Sequence, residues 1–165
     1  IKNLEIGTFK EIKDFRGSFS RLFCAEIFKK KIKKINQKNK SFSNKKYTLR
    51  GMHYQLSPFS EDKIVMCTRG KVFEVLLDIR VDSPTFHKWI SVELDEKKYE
   101  ILYVPEGFAL GFQTLSENTE LYYQMSEYYH PEKSGGIKWN DPKIQIKWPL
   151  DCSTISKKDE SFELL

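Results

Sequence analysis

No close pair of cysteines occurs in this chain: Cys24, Cys67 and Cys152 are odd in number and widely spaced. Disulfide frameworks need paired cysteines and zinc sites of the CxxC type need close ones, so both are excluded and a reducing, cytoplasmic setting is expected. Histidine is equally scarce, with only His53, His87 and His130. Metal-binding β-barrels surround their ion with two histidines one residue apart, then a carboxylate and a third histidine. That spacing is missing, and no catalytic metal is expected. Missing too are any apolar run of transmembrane length and the charged and apolar regions of a signal peptide, which predicts a soluble protein. There is no internal repeat and no sustained helical period, so βαβ units and a parallel doubly wound sheet are disfavoured.

What the chain does have is aromatic and basic residues. Its 165 residues fit one domain, 1–165, and twelve Phe and eight Tyr argue against disorder. The net charge of +5 comes largely from Lys29, Lys30, Lys31, Lys33 and Lys34, followed by Lys38, Lys40, Lys45 and Lys46. Such clustering suits nucleic acid, an anionic ligand or a solvated basic face. Basic and aromatic residues do not alternate as in a recognisable nucleic-acid module, so nucleic acid is set aside.

Strand signals dominate. Residues 4–23 read as a hairpin around the turn Asp14-Phe15-Arg16-Gly17, and Ala25 to Ile35 is the only segment with some helical character, a brief surface helix or loop. Strands are then expected at 63–68, 71–80, 88–94, 100–104, 107–114 and 120–129, with turns at Arg69-Gly70, Asp82-Ser83-Pro84 and Pro105-Glu106-Gly107. Residues 134–136 and 140–142 read as loops and 144–146 as one more short strand. Many short strands at near-regular spacing predict an all-β sandwich or barrel.

The stretch Leu49-Arg50-Gly51-Met52-His53-Tyr54-Gln55 holds the best general base. Strand alternation would put His53 and Gly51 on one face and Arg50 and Tyr54 on the other, with glycine keeping the base's face open. Lys63 opens an apolar run that reads as the partner strand and could bring a cation to the same pocket. A histidine base needs a carboxylate to fix its tautomer, and the residues alone do not choose which. Tyr122, Tyr123, Tyr128 and Tyr129 add phenols able to act as general acids, of which at most one of Tyr122 and Tyr123 can line a given cavity.

These pieces, together with Asp78-Ile79-Arg80, Ser83-Pro84-Thr85-Phe86, Val104-Pro105-Glu106-Gly107-Phe108-Ala109, Thr114-Leu115-Ser116, Trp139-Asn140-Asp141-Pro142 and Trp148-Pro149, stand in an order that resembles the dTDP-4-dehydrorhamnose 3,5-epimerases of the cupin superfamily. The resemblance implies a jelly-roll β-sandwich with short peripheral helices, a homodimer exchanging N-terminal strands, no cofactor and no metal, acting on nucleotide-linked 4-keto sugars in surface-polysaccharide synthesis. It implies His53 as base, Asp159 as its carboxylate, Tyr123 as general acid and Lys63 as the enolate's cation. For the diphosphate it points to Arg16 and Arg50, and for the nucleoside to Phe19, Gln37, Asn39 and Tyr129. Two departures bear on specificity. Leu110 replaces a histidine in the Gly-Phe-Ala-His-Gly-Phe motif of many members, and Arg21 stands where rhamnose-pathway members often have an acidic residue. A guanidinium cannot accept the N3 proton of thymine but can donate to guanine, so both dTDP and GDP sugars, hexose or heptose, stay open. So do inversion at C3, C5 or both, 3,4-ketoisomerisation, and a non-catalytic sugar-nucleotide-binding role.

Overall fold

The computed structural model describes residues 3–32 and 34–165, which form two facing five-stranded sheets and a separate two-stranded hairpin. The first sheet runs, edge to edge, β1 (Glu5–Thr8), β9 (Glu100–Val104), β6 (Lys63–Arg69), β11 (Thr119–Met125), β4 (Gln37–Ser43). In the second the order is β12 (Ser134–Gly136), β5 (Leu49–Gln55), β10 (Phe108–Thr114), β7 (Lys71–Asp78), β8 (Trp89–Asp95). The hairpin joins β2 (Glu11–Asp14) to β3 (Gly17–Ser20), and the two short helices are α1 (Ala25–Phe28) and α2 (Lys157–Glu160). Every ladder between these strands is antiparallel. This is the all-β sandwich with short peripheral helices that the turn spacing and the resemblance both led one to expect.

Strand β7 shows why the sheets stack. Val72 and Leu76 point into the inter-sheet core with Val65, Leu94, Leu102 and Leu121, while Val75 and Leu77 point the other way, under Ile137 and Ile144. Both faces of the second sheet are thus buried, the outer one by the C-terminal segment. Each such fully buried aliphatic side chain is worth about 1.5–3 kcal/mol over exposure. A third cluster, Ile64, Met66 and Ile101 under Ile32 and Phe28, covers the outer face of the first sheet.

Several local expectations change. The run from Lys63 is not the partner of the stretch at Leu49: β6 pairs with β9 and β11, and β5 pairs with β10 and β12, so the two face each other across the sandwich. Residues 144–146 form no strand; Ile144 ends a turn closed by Asp141, whose Oδ1 and backbone oxygen accept from the following amides. Ser134–Gly136, read as loop, adds an edge to β5. Gln37–Ser43, too polar to signal a strand, is held as β4 by seven paired positions along β11. The strand expected at 120–129 stops at Met125, and the helical segment after Ala25 is only four residues long.

Candidate active site

The cavity lies between the sheets at one end of the sandwich, with a volume of about 370 Å³. On the first sheet, two rows of directly paired residues line it. Val65, Tyr123 and Asn39 are opposite one another across β6, β11 and β4, and Lys63, Met125 and Gln37 form the next row. Because side chains alternate, Tyr122 turns the other way and packs in the outer cluster. The second sheet supplies Arg50, Phe112 and Glu74 in one row and His53 with Leu110 in the next.

Arg50 and His53 line one cavity although they are three residues apart, which simple alternation forbids. The register of β5 against β10 explains it: Phe112 pairs Arg50 and Leu110 pairs His53, so β5 carries one extra residue in a bulge. The expectation that Arg50 and His53 face opposite ways is therefore corrected. So is the role of Gly51. Its φ is +126°, and a Cβ there would stand 2.4 Å from the Cα of Gly111 and 2.9 Å from the oxygen of Leu110. Glycine is needed for close approach of two backbones, not to open the base's face.

His53 Nε2 lies 2.8 Å from Asp159 Oδ1, while Asp159 Oδ2 accepts the Gly51 amide at 3.1 Å. The carboxylate arrives from the far end of the chain on α2, whose N-cap Ser156 accepts the Asp159 amide at 3.1 Å. Burial by itself would raise the Asp159 carboxyl; bonds and charge from His53, with the Gly51 amide and Ser156, outweigh it and hold the group below the ordinary carboxylate range. An ionised carboxylate fixes the imidazole's tautomer and orientation. Phe162 sets its ring edge-on to His53, with centroids 5.8 Å apart.

Across the cavity, burial pushes the Tyr123 phenol up despite Arg50 and Asn39, so it keeps its proton at neutral pH. Lys63 is buried and paired with Glu61 at 3.0 Å. Arg50 is tied to Ser43 Oγ at 3.2 Å and the Phe42 oxygen at 3.0 Å, which aims its guanidinium along the mouth. Gln37 donates to Asn39 Oδ1 at 3.1 Å and accepts the Tyr129 amide at 3.0 Å, linking the three residues expected near a nucleoside.

The remaining expected residues sit elsewhere in the chain. Arg16 is at the exposed hairpin turn, bonded to Asp14 at 2.6 Å. Phe19 and Arg21 line a second hollow of about 490 Å³ on the N-terminal arm. Sequence reasoning missed Glu61, Glu74, Lys158 and Phe162. Glu74 had a signal, since it is a charge in the middle of the inward face of β7, between Val72 and Leu76. Among the described residues, no three His, Cys, Asp or Glu side chains group as metal ligands, and no helix is long and apolar enough to cross a membrane.

Known proteins resemble this chain over its whole length. A sequence model described as dTDP-4-dehydrorhamnose 3,5-epimerase matches residues 1–165. A curated protein of that name from Sinorhizobium fredii is 44% identical over 151 residues, covering 90% of this chain and 77% of its own. The crystal structure of the epimerase of that name from Bacillus anthracis, with TDP and pyrophosphate bound, superposes with a TM-score of 0.94 at 32% identity, covering 99% of this chain and 94% of that one. A Legionella pneumophila dTDP-6-deoxy-D-glucose-3,5-epimerase, in complex with dTDP-4-keto-L-rhamnose, gives 0.93 at 37% identity and covers 99% of this chain and 88% of its own. With the cavity, the His53–Asp159 pair and the whole-length match in hand, the chain belongs to the dTDP-4-dehydrorhamnose 3,5-epimerase family.

Proposed function

We propose that this chain inverts the carbons flanking the ketone of a nucleoside-diphosphate 4-keto sugar, a step in making sugars for surface polysaccharides. The observation that carries the reading is the placement of a carboxylate-backed base, His53, and a protonated phenol, Tyr123, on opposite sheets of one cavity, with the Lys63 cation between β9 and β11 in the wall. A C4 ketone acidifies the hydrogens at C3 and C5. His53 takes one as a proton, leaving an enolate whose charge Lys63 stabilises in a site poor in water. Tyr123 then returns a proton to the opposite face, so the centre inverts, and the resting state is restored as the phenolate regains a proton from solvent and His53 releases its own to solvent. Arg50, with its forked donors, suits the diphosphate, and Gln37, Asn39 and Tyr129 suit the nucleoside. Arg16, Phe19 and Arg21 reach a cavity only as contributions from a second subunit of a homodimer.

Names and ligands of the relatives favour a dTDP-linked 4-keto-6-deoxy sugar inverted at both centres. Arg21 favours a second reading, a GDP-linked hexose or heptose, and calorimetry with dTDP and GDP decides between them: dTDP binding at least as tightly as GDP removes the GDP reading. The reaction itself is tested by proton NMR in deuterium oxide on dTDP- and GDP-linked 4-keto sugars, with His53→Asn as control. Exchange at C3 and C5 supports the double epimerase and exchange at one carbon a single-centre enzyme. No exchange with any of them overturns the reaction and leaves a binding protein. His53→Asn is expected to lower exchange by about 10²–10⁴-fold.

A further inference from the structure

One polar side chain of the cavity has no part in the chemistry above. Glu74 stands on the inward face of β7 between Val72 and Leu76, both fully buried in the inter-sheet core. It is 2% exposed, lines the cavity, and its Oε2 has no hydrogen-bond partner among the described residues. Lys63 is paired with Glu61 at 3.0 Å and acts on Glu74 through charge alone, with no hydrogen bond to that oxygen. An apolar side chain would continue the pattern of its neighbours, and a buried polar group left unpaired is rare enough to need a reason.

We infer that Glu74 is a specificity-determining residue whose carboxyl hydrogen-bonds a hydroxyl of the substrate's sugar. The inference rests on the reading of the cavity as a nucleotide-sugar site. Register supports the placement: Arg50, Phe112 and Glu74 form one row across β5, β10 and β7, so Glu74 lies two strands, about 10 Å, from the arginine that suits the diphosphate. That is the span from a diphosphate to the far side of a hexose ring. Burial pushes the Glu74 carboxyl up to about 8, with Lys63 opposing. At neutral pH it therefore carries an O–H to donate and a carbonyl to accept, and a hydroxyl answers both. An ammonium or phosphate calls for a charge this position does not hold.

The test uses calorimetry and exchange kinetics on the full chain and on Glu74→Leu and Glu74→Gln. The probes are the bare nucleoside diphosphate (dTDP or GDP, whichever binds tighter), its glucose conjugate, and conjugates lacking one hydroxyl at a time. Glu74→Leu is expected to weaken the glucose conjugate by about tenfold or more while binding the bare nucleotide unchanged, because a site built to bond a hydroxyl is left unpaired. Glu74→Gln, which keeps a donor and an acceptor, stays within about threefold. In the unmodified chain one deoxy conjugate binds about tenfold weaker, and Glu74→Leu no longer distinguishes it. Equal binding of all deoxy conjugates by the unmodified chain overturns the inference without recourse to any variant. So does a Glu74→Gln chain that loses kcat at unchanged KM, which would make the group a proton carrier. Failure of the epimerase reading shows separately, as absence of deuterium exchange in the unmodified chain whatever its binding selectivity.

Discussion

At the scale of single residues, the site is a set of groups whose surroundings push their proton affinities apart. Asp159 is held ionised by His53, the Gly51 amide and Ser156, while Tyr123 and Glu74 are kept protonated by burial. Replacing Asp159 with Asn keeps the shape but removes the charge that favours imidazolium, and exchange is expected to fall by about 10²-fold or more in deuterium-incorporation assays. Glu74 gives a prediction of opposite sign. Its folded pKa, about 8, is raised above the ordinary 4.5, so from pH 4.5 to 8 the unfolded chain has released a proton that the folded chain retains. Stability therefore falls with rising pH across that window, by up to a few kcal/mol from this group, and Glu74→Gln removes the dependence. Urea unfolding at pH 5 and pH 8 checks it: the Gln variant should gain on the unmodified chain at pH 8 and not at pH 5. His53, Lys63, Tyr123 and Asp159 took their roles from resemblance, because no spacing rule links position 53 to position 159. Glu74 was legible from alternation alone, as a charge between Val72 and Leu76, and was passed over.

Elements decide which residues can share the cavity, and here β5 is the informative one. Alternation along it fails at the bulge opposite Leu110 and Phe112, and the extra residue turns Arg50 onto the same side as His53. A single strand's sequence cannot display this, because the register belongs to the pair and not to the strand. The polar strand β4 was hidden for a related reason: Gln37, Asn39 and Ser41 face the substrate cavity and not the apolar core, so the inward positions carry no apolar signal. The apolar strands 6, 7, 9 and 10 were plain because both of their faces meet hydrophobic clusters. Gly51 is where the element is most sensitive. Alanine there combines a φ of +126° with a Cβ placed 2.4 Å from Gly111, and the expected loss is about 2–4 kcal/mol, read as a lower urea midpoint. Since the Gly51 amide also holds Asp159, the same variant should lower exchange even at temperatures where it stays folded.

On the scale of the whole molecule, the unfinished part is the N-terminal arm. Its hairpin touches the sandwich through few side chains, and Ile6, Ile12, Phe19, Leu22 and Ile27 are left exposed around the second hollow, with Phe15 exposed at the hairpin turn. A soluble monomer rarely presents so many large apolar side chains together, and burial by a second copy is the expectation that follows. The arm also carries Arg16, Phe19 and Arg21, which the protomer's own cavity lacks. If a second copy covers the arm, oligomerisation and nucleotide binding are one property. Sedimentation should show a homodimer, and Ile12→Asp, at an exposed hairpin position opposite Phe19, should shift it towards monomer. If the arm supplies its residues across the interface, nucleotide affinity of Ile12→Asp becomes dependent on protein concentration, recovering as the dimer re-forms. Arg16→Ala, by contrast, should remain dimeric and bind the diphosphate about tenfold more weakly at every concentration, the loss of a charge-assisted contact. A monomeric Ile12→Asp chain that binds nucleotide with unchanged affinity would show instead that each protomer's cavity is complete without the arm.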